Sequence, residues 1–169
     1  VGRFAPEKNL PLILEAFKAV YKNNNNCSLT LVGRGSEETK IQKFIKDHKL
    51  DEVIRIVTWT DDVAGEMAKA DVFLLASAHE GWGMVLVEAM AVGLPVITTD
   101  VGCVGELVKA GEHGLVVEVD NTKNFMNAMM TLSKDVNKRH EMSVSAYNSA
   151  LALKIDEADY LSQWVGSFV

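Results

Sequence analysis

Apolar and polar positions alternate along this 169-residue chain in blocks that predict a regular succession of strands and helices. Short apolar runs predict strands, and longer segments with apolar residues three or four positions apart predict amphipathic helices. One helix is predicted between Asn9, a residue type that caps helix N-termini, and the polar run at residues 23–26. The other predicted helices cover residues 36–48, 61–69 and 84–92, and two more begin near residues 121 and 136. The predicted strands are residues 29–33, 53–57, 72–76, 95–98 and 115–117.

The order of these elements predicts an α/β fold. Helical segments of about 10–15 residues between consecutive strands are typical of right-handed crossovers, which build a parallel sheet. Residues 72–76 are apolar at every position, as expected for a strand that helices cover on both faces. We therefore expect a doubly wound, Rossmann-like parallel sheet with helices on both faces.

The two ends of the chain suggest how it is organised. Residues 1–134 carry the alternating strands and helices and form the predicted Rossmann-like domain, whereas residues 135–169 contain helical patterns alone. In the latter, Leu161, Trp164 and Phe168 form one apolar stripe, which packs either on this domain or on a missing N-terminal domain. The first residues begin as though a strand had just ended, so we expect the chain to be a piece of a longer protein.

Composition and charge exclude several classes of protein. The 17 basic and 23 acidic residues give a net charge of −6, which argues against a nucleic-acid partner because such an interface needs a concentrated basic face. A small anionic ligand remains compatible with this charge. No apolar run reaches the length of about 20 residues that a transmembrane helix needs. Cys27 and Cys103 are too few for a disulfide framework, so we expect a cytoplasmic location, with a membrane-peripheral one left open for the full-length protein.

In an open parallel sheet, ligands bind beyond the carboxyl ends of the strands. The run from Gly33 to Glu38 follows one such end and begins like a dinucleotide-binding fingerprint, but Glu38 occupies the place of the third glycine. The simpler interpretation is a tight turn from strand to helix. No P-loop sequence occurs in the chain. The segments predicted to lie at this edge are residues 2–8, 33–36, 58–62, 77–83 and 99–105.

The segment 79–91 has the most informative pattern. Gly81 and Gly83 let the backbone approach a ligand closely, and the following helix directs its free N–H groups and positive dipole end toward the same space. Glu80 lies in the loop, and Glu88 lies about one turn into the helix. Two carboxylates near an anionic ligand are tolerated where hydroxyl groups donate to them, which indicates a sugar or a ribose. The alternative is structural, with Glu80 as a loop acid and Glu88 paired with a neighbouring cation.

Arg3 and Lys8 supply positive charge at the same predicted edge. An arginine clamps a phosphate with two parallel hydrogen bonds, and a lysine acts on it as a point charge. The alternative is a pair of solvated surface cations. With the helix end after Gly83, these groups would neutralise a phosphate, and the chain contains no Asp-x-Asp triplet that would hold a cation. We therefore expect neither a metal ion nor a cofactor.

Three stretches together resemble the C-terminal, nucleotide-sugar-binding domain of family-four retaining glycosyltransferases, which have the GT-B fold. Residues 1–9, with Gly2-Arg3 and Glu7-Lys8-Asn9, are similar to the family's entry loop. Residues 31–35 resemble its second strand and glycine turn. Residues 77–93, continuing through 95–98, resemble its motif of two glutamates separated by seven residues, here Glu80 and Glu88. The resemblance extends from residue 1 to about residue 134.

The resemblance implies how a donor would be held. Arg3 and Lys8 would hold the donor diphosphate, and Glu88 would bind the ribose hydroxyls. The loop around Thr58 would contact the base through its backbone.

The resemblance also implies that Glu80 is the catalytic residue. Glu80 would face the hydroxyls of the transferred sugar, beside the backbone amides of Gly81, Trp82 and Gly83. The sequence departs from the family pattern at Trp82, where phenylalanine is usual, and at Cys103, which replaces the second glycine of a Gly-Gly pair. We expect Trp82 to be tolerated, and Cys103 to change how closely that backbone approaches the sugar or the acceptor.

The function that the resemblance implies is the donor-binding half of a retaining glycosyltransferase, which moves a sugar from a nucleotide-diphosphate sugar to an acceptor. The implied partners are that donor and a missing N-terminal acceptor domain of the same chain, so the isolated fragment is expected to be inactive. The alternative is a nucleotide-sugar epimerase or a non-catalytic nucleotide-binding module, because both can reuse a doubly wound domain.

Overall fold

The computed structural model describes residues 1–153. The strands are β1 (Leu29–Val32), β2 (Ile54–Val57), β3 (Phe73–Leu75), β4 (Val96–Thr99) and β5 (Gly114–Val117). The helices are α1 (Leu10–Asn23), α2 (Glu38–Asp47), α3 (Val63–Met67), α4 (Met84–Ala91), α5 (Thr122–Lys134) and α6 (Val136–Ala152), and a 3-10 turn (Pro6–Lys8) precedes α1. The predicted order of elements is confirmed.

The strands pair in parallel, as predicted, but they form two sheets. β1 pairs with β2, Leu29 lying beside Ile54, and β3, β4 and β5 pair in that order. A groove lies between β1 and β3, and both strands line it. The α/β fold with helices on both sides is confirmed, although the described strands form two sheets instead of one continuous sheet.

Helices cover both faces of the sheets. Successive side chains of a strand point to opposite faces, and in β4 Ile97 joins one hydrophobic core while Val96 joins the other. The first core contains residues of α1 and α5, which pack against each other. The second contains residues of α4 and α6, which form the other main helix pair. Both faces of the β3–β4–β5 sheet are therefore shielded from water, which explains the continuous apolar run at residues 72–76, whereas Thr30 of β1 and its neighbour Arg55 of β2 are exposed.

Capping side chains fix where the last two helices begin. Asn121 caps α5 and Asp135 caps α6, each by accepting a backbone N–H of the first turn over 2.9 Å. Asn9 occupies the cap position of α1 as predicted, but its backbone is left-handed with φ 47° and its side chain forms no cap. Instead, Asn9 Nδ2 donates to Asp120 Oδ1 over 2.7 Å. This contact ties the start of α1 to the loop that follows β5.

Helix α6 is anchored to the second core. Ser143 Oγ donates to the carbonyl oxygen of Gly93 over 2.6 Å, and Ser149 Oγ lies 2.9 Å from Nε2 of the buried His113. The predicted stripe at residues 161–168 lies outside the described residues. Within residues 1–153, no helix is long and apolar enough to cross a membrane.

Candidate functional site

Loops that follow the strands meet at one edge of the fold. Backbone hydrogen bonds of 2.8–2.9 Å join four of the five predicted segments: Phe4 N–H donates to Arg34, Ala78 N–H to Glu7, and Cys103 N–H to Trp82. Among the hydrogen bonds of residues 1–153, none joins residues 58–62 to the other four segments. The loop that contains the exposed Thr58 begins beside these segments, because Gly33 N–H donates over 2.8 Å to the carbonyl oxygen of Val57, the residue before it.

Two donors converge on one carboxylate oxygen of Glu80. Lys8 Nζ and Ser77 Oγ each lie 2.6 Å from Glu80 Oε1. The Glu80 side chain is only 12% exposed and that of Lys8 is 22% exposed, so the ion pair is largely withdrawn from water. No donor within the described part of the chain contacts Oε2. This second oxygen therefore keeps its capacity to accept hydrogen bonds from another molecule.

The position of Ser77 is itself fixed by the sheet. Ser77 follows β3 closely and is fully buried, as is Thr99 at the end of β4. Thr99 Oγ1 donates to the carbonyl oxygen of Ser77 over 2.6 Å. The contact between β3 and β4 thereby fixes the position of Ser77, whose hydroxyl group donates to Glu80. Sequence analysis missed Ser77, although a hydroxyl group three positions before Glu80, at the end of an apolar run, was a usable signal.

Helix α4 begins directly after the loop that contains Glu80. Gly83 occupies the cap position with φ 79°, a left-handed conformation that favours glycine over residues with a side chain. Gly81 is exposed, and a Cβ placed on it would meet nothing within 4 Å. The first turn of α4 has no side-chain cap, so its backbone N–H groups and dipole remain available to an anionic or hydroxyl-bearing ligand.

The glycines after β1 are required by protein packing. A Cβ on Gly33 would lie 1.9 Å from the carbonyl oxygen of Gly2, and one on Gly35 would lie 2.3 Å from that of Phe4. The backbone that approaches these glycines is therefore the entry loop itself. This geometry favours the tight-turn interpretation of residues 33–38 over a dinucleotide fingerprint.

Arg3 and Glu88 both lie at the surface. The Arg3 side chain is 74% exposed, and its Nη2 lies 2.8 Å from Oε1 of Glu7. A hydrogen bond from the backbone N–H of Glu7, followed by the one from Arg3, holds the pKa of the Glu7 carboxyl below its usual value. Such an exposed pair adds little stability, so Arg3 can exchange Glu7 for a phosphate at low cost. Glu88 is exposed on α4 and takes part in no ion pair among residues 1–153. The structural alternative, in which Glu88 pairs with a neighbouring cation, is therefore not observed.

The two departures from the family pattern differ in their surroundings. Trp82 is 45% exposed at the tip of the loop. Cys103 is fully buried in the second core, and this burial raises the pKa of its thiol. Cys103 therefore reaches the loop through its backbone N–H, not through its side chain. No group of three His, Cys, Asp or Glu side chains in the described residues has an arrangement that would hold a metal ion.

Residues 1–149 match the model of the family described as glycosyl transferases group 1. The chain belongs to this family. Poly(glycerol-phosphate) alpha-glucosyltransferase of Bacillus subtilis is 32% identical to it over 165 residues, which cover 97% of this chain and 24% of the relative. N-acetyl-alpha-D-glucosaminyl L-malate synthase of Bacillus anthracis is 31% identical over 149 residues, 88% of this chain and 39% of the relative. The group 1 chain thus spans less than half the length of these curated relatives.

Solved structures of glycosyltransferases have the same fold. A mutant of S. aureus TarM, crystallised with UDP among its ligands, superposes with a TM-score of 0.89 at 23% identity, over 98% of this chain and 34% of that one. Anabaena HepE in complex with UDP superposes with a TM-score of 0.87 at 22% identity, over 99% of this chain and 47% of that one. The C-terminal domain of a group 1 family glycosyl transferase from Francisella tularensis superposes with a TM-score of 0.84 at 21% identity, over 93% of this chain and 85% of that one. The group 1 chain therefore has the fold of a GT-B C-terminal glycosyltransferase domain, as the resemblance implied.

Proposed function

We propose that this group 1 chain is the donor-binding half of a retaining, family-four glycosyltransferase, which moves a sugar from a nucleotide-diphosphate sugar to an acceptor. The observation that supports this most is the convergence of Lys8 and Ser77 on one oxygen of Glu80, which leaves the other oxygen for sugar hydroxyls. Family membership favours glycosyl transfer over a nucleotide-sugar epimerase or a non-catalytic nucleotide-binding module.

Arg3 and Lys8 hold the donor diphosphate in this proposal. Lys8 has three N–H donors, so it can contact a phosphate oxygen while it keeps its bond to Glu80. Negative charge grows on the diphosphate as the bond between sugar and phosphate breaks, and fixed cations stabilise that charge. The N-terminus of α4 adds partial positive charge. The proposal therefore assigns charge neutralisation to the chain's own groups, with no metal ion and no cofactor.

Glu80 and Glu88 contact different parts of the donor. Glu80 Oε2 accepts hydrogen bonds from the transferred sugar, beside the backbone amides of residues 81–83. Glu88, exposed on α4, accepts them from the ribose, and the loop at Thr58 contacts the base. Lys8 compensates the charge of Glu80 at 2.6 Å, which lowers the cost of a carboxylate so near a diphosphate.

The acceptor side is proposed to be an N-terminal domain of the same polypeptide. The relatives are longer than this chain, which covers 24% and 39% of two of them. We propose residues 1–134 as the nucleotide-sugar-binding domain, on which α6, the described helix of residues 135–169, packs through α4.

Calorimetric titration of the chain with nucleoside diphosphates and their sugar conjugates tests the proposal. UDP is the first nucleotide to use because the TarM and HepE crystals contain it. The expected affinity is weak, millimolar to high micromolar, or about −4 to −6 kcal/mol, because one wall of the cleft is missing. No sugar transfer is expected from the chain alone. Binding of none of these nucleotides, or robust transfer by this chain, would contradict the proposal.

A further inference from the structure

The segment that follows β4, residues 99–103, lies directly beside the loop that carries Glu80. A Cβ placed on Gly102 would lie 2.6 Å from the carbonyl oxygen of Trp82 and 3.3 Å from Cβ of Glu80. The backbone of Gly102 is left-handed, with φ 62°. Glycine combines this conformation with so close an approach, because it has no Cβ. The segment after β4 and the Glu80 loop are therefore in direct backbone contact.

Two hydrogen bonds tie the segment to the loop. Thr99 Oγ1 donates to the carbonyl oxygen of Ser77 over 2.6 Å. Cys103 N–H donates to the carbonyl oxygen of Trp82 over 2.8 Å. One contact lies before Glu80 in the chain and the other lies after it. The stretch that contains Glu80 is therefore held at both ends by the same neighbouring segment.

The side chain of Cys103 anchors this segment in the second core. It is fully buried, in the apolar cluster that also contains Leu86 and Met90 of α4. The carbonyl oxygen of Cys103 accepts the N–H groups of Leu107 and Val108 over 2.9 and 3.1 Å, which closes the turn that follows. A glycine at this position would form the same backbone hydrogen bonds but would have no side chain in the core.

We propose that Thr99 and Cys103 are positioning residues for the transferred sugar. This inference rests on the proposed function, in which Glu80 and the backbone amides of residues 81–83 contact that sugar. Each positioning residue holds a carbonyl group of the loop, so that the carboxylate and the amides already point toward the sugar before it binds. Fixed groups of this kind favour one arrangement of sugar hydroxyls over another. Since other segments hold the diphosphate and the ribose, the two residues act on the sugar half of the donor alone.

Thr99→Val tests the first contact, with Thr98→Val as a matched control. Both hydroxyl groups are fully buried at the end of β4, and that of Thr98 donates over 2.9 Å to the carbonyl oxygen of Thr99, not to the Glu80 loop. The ligands are UDP, UDP-glucose and UDP-N-acetylglucosamine, titrated by calorimetry. Thr99→Val should weaken the better-bound sugar conjugate about tenfold and UDP less than about twofold, and should bring the affinities of the two conjugates closer together. Thr98→Val should change none of these affinities by more than about twofold.

Cys103→Gly tests the second contact, with Ala146→Gly as its control. Ala146 is also fully buried in the second core, but it lies on α6 and forms no contact with the Glu80 loop through a hydrogen bond. Amide hydrogen exchange is measured by NMR without ligand and corrected for intrinsic rates. In Cys103→Gly, exchange at residue 103 should rise at least about tenfold relative to Val96, an amide hydrogen-bonded inside the sheet.

The same two variants are titrated with the three ligands. Cys103→Gly should weaken the sugar conjugates selectively, as Thr99→Val does, and Cys103→Ala, which keeps a Cβ in the core, should restore part of the loss. Ala146→Gly should lower the free energy of unfolding without changing either the exchange ratio or the affinities. Because Cys103→Ala removes fewer atoms than Cys103→Gly, it also serves as the test if the glycine variant does not fold.

Three results would overturn the proposal. Equal losses of UDP and its sugar conjugates from Thr99→Val, or the same losses from Thr98→Val, would show that the hydroxyl group acts only on stability. An unchanged exchange ratio in Cys103→Gly would show that the side chain does not fix the N–H group that holds Trp82. An unchanged ratio between the two conjugates in both variants would show that the segment has no part in the choice of sugar. If the unmodified chain binds none of the three ligands, the proposed function fails and the sugar assignment fails with it, whereas UDP binding without these selective losses removes the positioning role alone.

Discussion

Replacing Ser77 with alanine removes one of the two donors to Glu80 Oε1 and leaves the net charge of the site unchanged. Ser77 is fully buried and its Oγ lies 2.6 Å from Oε1. A hydrogen bond to a charged group contributes about 1.5–3 kcal/mol. Lys8 Nζ remains 2.6 Å from the same oxygen, so the carboxylate keeps its countercharge. We therefore expect Ser77→Ala to lower the free energy of unfolding by about 1.5 kcal/mol, the lower end of that range.

The same substitution should weaken the nucleotide sugar more than the plain nucleotide. With one donor lost, the Glu80 carboxylate is free to rotate about its bond to Lys8, and Oε2 is no longer held toward the sugar. A loss of about 1.4 kcal/mol corresponds to about tenfold weaker binding of the sugar conjugate. A nucleoside diphosphate that contacts Arg3 and Lys8 but not Oε2 should bind with nearly unchanged affinity.

Ser143→Ala is a matched control for this experiment. Ser143 Oγ also donates over 2.6 Å, but to the carbonyl oxygen of Gly93, which anchors α6. Its loss should cost about 0.5–1.5 kcal/mol of stability and leave both affinities unchanged. Urea unfolding followed by circular dichroism gives the stabilities, and calorimetry gives the affinities. If Ser77→Ala weakens both ligands equally, or if Ser143→Ala gives the same pattern, Ser77 acts only on the stability of the fold.

Two further predictions concern the metal and the entry loop. Nucleoside diphosphate should bind equally well in EDTA and in excess magnesium, because Arg3 and Lys8 are proposed to neutralise it. A tenfold gain with magnesium, about 1.4 kcal/mol, would assign that task to the cation. Gly33→Ala should cost at least about 3 kcal/mol in urea unfolding, because its Cβ would lie 1.9 Å from the Gly2 oxygen at a φ of 139°, and a loss below about 1 kcal/mol would contradict this contact.

The hydrophobic pattern predicts the elements well because most strands are covered on both faces. Residues 72–76 are apolar throughout, and β3 forms inside this run with Phe73 and Leu75 buried. The predicted helix 61–69 is shorter in the structure because Asp62 caps it by accepting from Gly65 N–H over 2.7 Å, so that α3 begins at Val63. The hydrophobic pattern is an average over several residues, so it does not reveal such boundaries, because they depend on single hydrogen bonds.

The candidate site could be predicted only in part. The loop order places Lys8 and Glu80 at the same edge, and their meeting there agrees with the prediction. Their ion pair, however, joins positions 72 residues apart and depends on how the entry loop packs on Gly33 and Gly35. The hydrogen bond from Ser77 to Glu80 depends in turn on the contact between β3 and β4. Sequence patterns show which residues share an edge of the sheet, whereas the tertiary packing decides which side chains touch.

Titration of Glu80→Ala and Glu88→Ala with a nucleoside diphosphate and with its sugar conjugate tests the proposed donor site most directly. The two carboxylates are proposed to contact different halves of the donor, so their substitutions should separate the two ligands. Glu88→Ala should weaken both ligands by a similar factor, because both contain the ribose. Glu80→Ala should weaken the sugar conjugate alone. Equal losses of both ligands from Glu80→Ala, or unchanged affinities in Glu88→Ala, would contradict the account.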